Sequence, residues 1–393
     1  MIALNEPNIT GNEIKEVKSS IKSTWVSTSG KYIKRFESLI SNFTNSKNVV
    51  ALSSGTSALH LSLRAIDIKK NEEIIVPAIT FIATINSINY VNASPIFMDV
   101  DKTHNLDINK TIKFIKEETF TNKIGTFNKK TKKRIGAIIP VHMWGNYCDF
   151  QKLKPLCKQK KIKIIEDASE ALGTFQNKKN ITHAGTNGDI GCLSFNGNKI
   201  LTTGAGGAII TNNYSYAKKI LYLSTQAKDD AIRFVHNDIG YNYRMTNLNA
   251  AFGCGQFKSL KKFIKNKKKI HDFYKKKISK LNGINLLENS NHFASNNWLN
   301  IIEIDKNKTK INPFYIYKKL KEKNIQTRLV WMPNHLQKQY KNCQKYKIKK
   351  SVDIFNKSLC IPSSTNLTKY NLNKIYTVLK KILIAPNKIK KIR

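Results

Sequence analysis

Short apolar runs alternate with helical patterns over the first two-thirds of the chain. Residues 49–52 predict a strand, 56–66 a helix, 73–79 a strand and 81–91 a second helix. The remaining strand candidates are apolar in the same way, at residues 95–100, 135–142, 163–167, 190–195 and 208–211. Nearly continuous apolar strands separated by helices indicate a mostly parallel central sheet with helices on both faces, and therefore the α/β class.

The apolar spacing becomes continuously helical over residues 246–281. The apolar positions fall on one stripe, formed by Leu248, Phe252, Leu260, Phe263, Ile264, Tyr274, Ile278 and Leu281. Asn282 and Gly283 then supply a stop signal. The pattern predicts one long helix that leads from the sheet-forming part of the chain to a second part.

The chain beyond this helix carries mixed signals, with a strand-like run at 298–304 and a helical pattern at 313–323. A length of 393 residues suits more than one structural unit. We therefore expect a large domain over residues 1–250. Residues 251–393 are expected to combine the bridging helix with a smaller α+β domain.

Two lysine-rich segments lack an apolar pattern. Residues 122–134 predict a polar loop between a helix and a strand. The basic residues 387–393 at the carboxyl terminus are expected to be frayed.

The formal net charge of +42 is the most unusual feature of the composition. Such a charge is typical of proteins that bind nucleic acid, and this remains an alternative function from a different class. Only 7 of the 68 basic residues are arginine, however, and nucleic-acid readers depend on arginine for bidentate and stacking contacts. The dispersed lysines favour a solvated surface whose positive field attracts an anionic substrate.

No stretch approaches the roughly 18 to 20 unbroken apolar residues of a membrane helix, and the first residues do not resemble a signal peptide. The six cysteines are scattered, so we expect neither a disulfide framework nor a metal site. No G-x-G-x-x-G follows the early strands, which argues against a dinucleotide cofactor. These features predict a cytoplasmic protein.

Candidate chemistry begins at Asp167, which ends the apolar strand 163–167. Ligands of parallel sheets bind at the carboxyl ends of the strands. An aspartate placed there can raise the pKa of a pyridine nitrogen, because opposite charges favour each other's ionised forms. A helix N-cap is an equally good reading of Asp167 by itself.

An anion site is indicated where residues 53–59 follow a strand and open a helix. Gly55 and Thr56 lie at the first turn, where free backbone N–H groups favour phosphate. Ser194 is a second candidate donor, and Phe81 could stack on a ring. An ordinary capped helix and a core phenylalanine would show the same local patterns.

Lys199 follows Ser194 by five residues and precedes the glycine-rich segment 202–207. A lysine drawn into a pocket loses charge and becomes a nucleophile. An acid, a hydroxyl, a lysine and glycines in this order are the groups that a pyridoxal 5′-phosphate (PLP) enzyme requires.

Nearly the whole chain, from about residue 8 to about residue 364, resembles the DegT/DnrJ/EryC1/StrS family of sugar-nucleotide aminotransferases. The resemblance is carried by SGTSALH at 54–60, TFIAT at 80–84, EDASE at 166–170, SFNGNK at 194–199 and GYNYRMT at 240–246. It implies a fold-type I PLP-dependent transferase. In this family Lys199 would carry PLP as a Schiff base and move the proton, and Asp167 would pair with the pyridine nitrogen. Gly55, Thr56 and Ser194 would hold the phosphate.

The resemblance implies further roles outside these groups. Phe81 would cover the ring, and Asn242 would reach the phosphate of the neighbouring subunit's cofactor in a homodimer. His335 matches a position near the substrate, although a surface histidine would fit as well. Glu170 stands where many members carry histidine or glutamine near the phenolic oxygen of the cofactor, and a carboxylate there would repel a phenolate unless it were protonated or paired.

Glu170, the segment 195–199, the insertion 122–134 and PVHMWGN at 140–146 look most like the aminotransferases of legionaminic acid biosynthesis. The resemblance implies transfer of the amino group of L-glutamate to C4 of a nucleotide-linked 4-keto-6-deoxy-N-acetylhexosamine. The alternative within the family is a GDP-4-keto-6-deoxymannose aminotransferase of the perosamine synthase type. A family dehydratase would lack the lysine at position 199.

Overall fold

The computed structural model describes residues 1–176, 181–288 and 293–384. Its α-helices are α1 (Asn12–Lys22), α2 (Lys31–Thr44), α3 (Gly55–Ala65), α4 (Ile82–Tyr90), α5 (Ile108–Glu117), α6 (Lys154–Gln159), α7 (Tyr214–Ser224), α8 (Asn247–Phe257), α9 (Leu260–Ile278), α10 (Pro313–Glu322), α11 (Lys350–Lys357) and α12 (Lys369–Ile384). Its strands are β1 (Asn48–Leu52), β2 (Glu73–Pro77), β3 (Ser94–Met98), β4 (Thr119–Thr121), β5 (Thr126–Asn128), β6 (Ile135–Ile138), β7 (Lys163–Asp167), β8 (Phe175–Gln176), β9 (Thr182–His183), β10 (Ile190–Ser194), β11 (Gly207–Thr211), β12 (Lys228–Asp230), β13 (Val235–His236), β14 (Ile284–Leu286), β15 (Phe293–Ala294), β16 (Asn300–Ile304), β17 (Arg328–Leu329), β18 (Lys345–Tyr346) and β19 (Ser358–Ile361).

Within these residues the central sheet has eight strands in the order β1-β11-β10-β7-β6-β2-β3-β18. The pairs from β10 to β18 are parallel, whereas β11 runs antiparallel to both β1 and β10. The α/β fold class and the mostly parallel sheet that the sequence predicts are therefore confirmed.

Both faces of this sheet are buried, which explains why its strands are apolar throughout. Ile74 and Val76 of β2 enter a core shared with α3, α4 and α7, while Ile75 between them enters the core under α5 and α6. Ala51 of β1 faces α2 and α8, whereas Leu52 faces the opposite core. Successive side chains of a strand point to opposite faces, so a strand covered on both faces needs no polar positions.

A second core forms around the antiparallel sheet β14-β16-β19-β17 and helices α9, α10 and α12. The first turn of α9 belongs to the first part of the molecule, since Phe263 packs with α2 and α8. Its later residues Tyr274 and Ile278 pack in the second core, together with Ile2 from the amino terminus. Helix α9 thus bridges the two cores, and the domain division at residue 250 stays a prediction.

Three expectations about local structure can be compared with these elements. The single helix predicted over 246–281 is interrupted at Lys258 and Ser259, because α8 stays against α1 while α9 continues into the second core. The loop predicted over 122–134 contains β5, which pairs with β4 as a hairpin. The tail 387–393 lies outside the described residues. Among the described helices, none is both long and apolar enough to cross a bilayer.

Candidate active site

A cavity of about 240 Å³ opens between the start of α3 and the carboxyl ends of β7 and β10. Seven of the residues that the sequence analysis selected line it, namely Gly55, Thr56, Phe81, Asp167, Glu170, Ser194 and Lys199. Because the carboxyl ends of neighbouring parallel strands meet at one edge of a sheet, residues far apart in sequence converge here.

The first turn of α3 forms one end of the cavity. Ser54 caps the helix, and its side-chain oxygen accepts a hydrogen bond from the backbone N–H of Ser57 at 3.0 Å. A Cβ atom on Gly55 would lie 2.9 Å from Cβ of Ser194 and 3.3 Å from Oγ of Ser169. Only glycine permits this approach, which brings two hydroxyl groups to the first backbone N–H groups of the helix. Those N–H groups have no partner within a helix, so the arrangement is an anion cradle.

Asp167 and Glu166 lie at the end of the same strand, and their side chains point to opposite faces of the sheet. The carboxylate of Asp167 points into the cavity, where it accepts hydrogen bonds from the Thr84 hydroxyl at 2.7 Å and the Ser169 backbone N–H at 3.1 Å. Glu166 is fully buried behind it and bonds to Nε2 of His142 at 2.8 Å. Asp167 is therefore held in place while one side remains open to a ligand.

Glu166 has a structural part in this arrangement. Its two oxygens accept backbone hydrogen bonds from Gly185 at 2.8 Å, Asn187 at 2.6 Å and Gly188 at 2.5 Å. Burial acts to raise its pKa, but His142 and these N–H groups outweigh burial and lower the pKa. These hydrogen bonds of Glu166 thus hold the loop before β10 against the end of β7.

Lys199 projects into the cavity from the turn that follows β10. Its backbone N–H donates to the carbonyl of Asn196 at 2.9 Å, and Nζ lies 4.1 Å from the ring centroid of Trp298. The Trp298 indole N–H donates to the carbonyl of Asn198 at 2.7 Å, so the two chain segments are locked together. Burial lowers the pKa of the Lys199 amine, and nearby carboxylates offset this only in part. More of this lysine is neutral near pH 7 than of an exposed one.

Glu170 is the nearest carboxylate to Lys199, with 3.7 Å between Oε1 and Nζ. Its other oxygen accepts the backbone N–H of Trp144 at 2.8 Å. Burial raises the pKa of Glu170 to about 7, and the positive charge of Lys199 acts in the opposite direction. Glu170 therefore changes its charge near neutral pH, beside an amine whose pKa is lowered.

Aromatic side chains surround the mouth of the cavity, and sequence reasoning had missed most of them. The ring of Trp331 lies 5.5 Å from Phe81 and 4.7 Å from Trp144, measured between centroids. Trp298, which lies before β16, and Arg328 of β17 also line the cavity. The chain has four tryptophans, and three of them gather here, so their rarity was the available signal.

Two of the residues selected from sequence do not line this cavity. Asn242 is exposed, and its backbone bridges to Thr225. His335 is 5 % exposed, lies 6.3 Å from the Phe97 ring, and has an Nδ1 without a hydrogen-bond partner among the described residues. Burial lowers its pKa. The roles of both residues stay predictions.

The groups of the cavity fit a PLP molecule. The anion cradle at Gly55 suits a phosphate, and the oriented carboxylate of Asp167 suits a protonated ring nitrogen. The buried amine of Lys199, whose pKa is lowered, suits a carbonyl carbon. This chemistry on a mostly parallel sheet defines the class of fold-type I PLP-dependent transferases.

The chain belongs to the DegT/DnrJ/EryC1/StrS aminotransferase family, whose family model matches residues 7–380. The GDP-perosamine synthase of Vibrio cholerae is 33% identical over 381 residues, covering 97% of this chain and 98% of that protein. That of Escherichia coli O157:H7 is 33% identical over 368 residues, covering 93% and 94%. The solved structure of Helicobacter pylori PseC, an aminotransferase involved in the biosynthesis of pseudoaminic acid, matches with a TM-score of 0.87 at 22% identity, covering 98% and 99% of the two chains.

Family membership makes this protein a PLP-dependent sugar aminotransferase. The predictions of family, enzyme class and cofactor are confirmed. The nucleotide sugar and the assembly are not fixed by these likenesses.

Proposed function

We propose that the protein transfers the amino group of L-glutamate to C4 of a nucleotide-linked 4-keto-6-deoxy-N-acetylhexosamine, on the way to legionaminic acid or a related amino sugar. The observation that carries the amino-transfer part is the position of Lys199. Its amine lies beside Glu170 and over Trp298, in the same cavity as Asp167 and the start of α3.

Each residue of the cavity has a role in cofactor binding that follows from its position. Gly55, Thr56 and Ser194 bind the phosphate of PLP, and Asp167 keeps the ring nitrogen protonated. When bound, PLP supplies an electron sink that stabilises negative charge on the carbon that carries the nitrogen. Phe81 covers one face of the ring at the mouth of the cavity.

Lys199 and Glu170 handle the proton. The Lys199 amine takes the proton from the α-carbon of glutamate and later gives a proton to C4 of the sugar. Glu170, whose pKa is raised to about 7 by burial, stores or returns a proton at Oε1, 3.7 Å from the amine. Trp298 and the aromatic mouth keep water away from the amine between the two steps.

We further propose a homodimer in which Asn242 completes the partner's phosphate site. The segment just before Asn242 carries large apolar side chains that are exposed to solvent: Ile232 is 89%, Phe234 66% and Ile239 73% exposed. Apolar surface of this kind supports burial against a second copy. Sedimentation of the protein tests this, with a monomer at micromolar concentration as the contrary result.

A second acceptor, GDP-4-keto-6-deoxymannose, has its own support. Two GDP-perosamine synthases are 33% identical to this chain over nearly their whole lengths. The two candidates differ at C2 of the sugar, which carries an acetamido group in one and a hydroxyl in the other. Turnover with glutamate across a panel of UDP- and GDP-linked keto sugars separates them.

The amino-transfer proposal is tested by the visible absorbance of the bound cofactor. Glutamate should bleach it, and the correct keto sugar should restore it. Lys199→Ala should abolish both changes, while Lys218→Ala, an exposed lysine on α7, should behave as the wild type. Normal turnover by Lys199→Ala would falsify the assignment.

A further inference from the structure

One lysine of the bridging helix is completely buried. Lys267 lies on α9, and its side chain is closed off from solvent. Its Nζ donates to the side-chain oxygen of Asn5 at 2.8 Å. The same nitrogen donates to the backbone carbonyls of Trp298 at 2.8 Å and Ser363 at 2.5 Å. One buried nitrogen thus joins three segments that are far apart in the sequence.

Two of these contacts lead to the turn that carries Lys199. The side-chain amide of Asn5, whose oxygen binds Lys267, donates an N–H to the backbone carbonyl of Asn198 at 2.5 Å. The indole N–H of Trp298, whose own carbonyl binds Lys267, donates to the same carbonyl at 2.7 Å. These two hydrogen bonds to the peptide immediately before Lys199 therefore come from residues that Lys267 holds.

The same contacts hold the indole ring beside the Lys199 amine. Nζ of Lys199 lies 4.1 Å from the centroid of the Trp298 ring. The backbone N–H of Trp298 donates to the side-chain oxygen of Asn296 at 2.9 Å, and its carbonyl accepts from Lys267. Because the backbone of Trp298 is bonded on both sides and its indole N–H is bonded as well, the ring is kept over the amine.

We infer that Lys267 is a positioning residue for the reaction at Lys199, acting through Asn5 and Trp298 on the turn that carries the amine. The inference rests on the proposed role of Lys199 in proton transfer. A displacement of the reacting group by about 1 Å can lower a rate by about 100-fold. In the described part of the chain Lys267 does not line the cavity, so its effect on the reaction passes through these neighbours.

The chemistry of the contacts explains why a lysine suits this position. The three oxygens belong to the amino-terminal segment, to the residue before Leu299 and β16, and to the segment after β19. A lysine has a long stem and a terminal nitrogen that can donate in several directions. An apolar side chain would fill the space, but the three segments would lose their common hydrogen-bond donor.

The first test is kinetic and uses the PLP-loaded enzyme, with rates expressed per bound PLP. In Lys267→Met the limiting rate of the glutamate half-reaction should fall by about tenfold or more, because the amine is displaced. The KM for glutamate should change by less than about threefold, since the residues lining the cavity are unchanged. Lys267→Met should cost less in an Asn5→Ala background than in the wild type, because the two residues share one path to Asn198.

Tyr274→Phe is the matched control. Tyr274 lies on the same helix, is buried, and donates from its hydroxyl to the carbonyl of Pro362 at 2.8 Å. Its replacement also removes a buried hydrogen bond from α9 to the segment after β19, but this bond does not lead to Asn198. The limiting rate of Tyr274→Phe should therefore stay within about twofold of the wild type.

Hydrogen exchange of the PLP-free protein gives a readout that does not depend on activity. The segment 195–201 includes the amide of Lys199, which donates to the carbonyl of Asn196 at 2.9 Å. Exchange in this segment, relative to strand β2, should be about tenfold faster in Lys267→Met than in the wild type. The ratio to β2 removes any general loss of stability, and Tyr274→Phe should leave this ratio unchanged.

Two results would overturn the inference. One is a limiting rate for Lys267→Met within about twofold of the Tyr274→Phe value, and the other is an exchange ratio equal to that of Tyr274→Phe. If Lys267→Met does not fold, Asn5→Ala decides by the same two measurements. A failure of the proposed function looks different, because Lys199→Ala would then turn over normally while Lys267→Met still accelerated exchange in segment 195–201.

Discussion

Replacing Glu170 with glutamine should make the apoprotein more stable at alkaline pH. Glu170 is 6 % exposed, and burial raises its pKa from 4.5 to about 7. Protonation of this group therefore favours the folded state. The resulting stabilisation is fully present below pH 4.5 and is lost as the pH rises through about 7. Glutamine has nearly the same shape as the protonated acid, and it never ionises.

The magnitude follows from the two pKa values. Ionising a group whose pKa moves from 4.5 to about 7 on folding costs ~3 kcal/mol when the pH is well above both values. Between pH 5 and pH 8 the part of this cost that develops is ~2.5 kcal/mol. The free energy of unfolding of Glu170→Gln, relative to that of the wild type, should therefore increase by about this amount from pH 5 to pH 8.

Urea denaturation of the PLP-free protein at several pH values measures this difference. Glu303→Gln is the matched control, because the trend there has the opposite sign. Burial acts to raise the pKa of Glu303, but His104 and Lys357 outweigh it and lower the pKa. Glu303 thus stabilises the fold above its unfolded pKa, and its replacement should destabilise the protein at neutral pH. Parallel curves for Glu170→Gln and the wild type between pH 5 and pH 8 would refute the reasoning.

Two further substitutions test the packing of the site. Gly55→Ala should weaken cofactor binding by roughly tenfold or more, because its Cβ would lie 2.9 Å from Cβ of Ser194. Gly197→Ala is the control, since its Cβ would meet nothing within 4 Å, and it should bind PLP normally. An absorbance titration of both variants with PLP measures the difference. Lys267→Met should lower the free energy of unfolding by about 2 kcal/mol or more, because Nζ of the fully buried Lys267 donates to the carbonyl of Trp298 at 2.8 Å and methionine leaves that oxygen unpaired. An unchanged denaturation midpoint would contradict this account of Lys267.

The residues found from sequence share one property, which is that each sits at the end of an element with a strong local pattern. Asp167 ends β7, Ser194 ends β10, and Gly55 begins α3. Periodicity locates such ends, and the parallel arrangement then brings them to one edge of the sheet. Thr84 was within a recognised segment, yet its bond to Asp167 spans 83 residues and has no local signal.

The cavity residues that come from the later part of the chain could not be found from local patterns. Trp298 and Trp331 pack in a cluster that joins residues beside the first sheet to residues of β16 and β19, and Arg328 lies on β17. The break between α8 and α9 was missed for a related reason. The apolar stripe continues through it, and only packing against two different cores shows why the helix ends.

The sequence by itself determined the fold class, the family, the cofactor and the residues at the ends of the strands, because local periodicity and short motifs encode them directly. Only the tertiary structure decided that Glu170 is buried beside Lys199 and that aromatic side chains and Arg328 line the same cavity. Burial and pairing depend on contacts between residues far apart in the chain, and these contacts set the charge of each group.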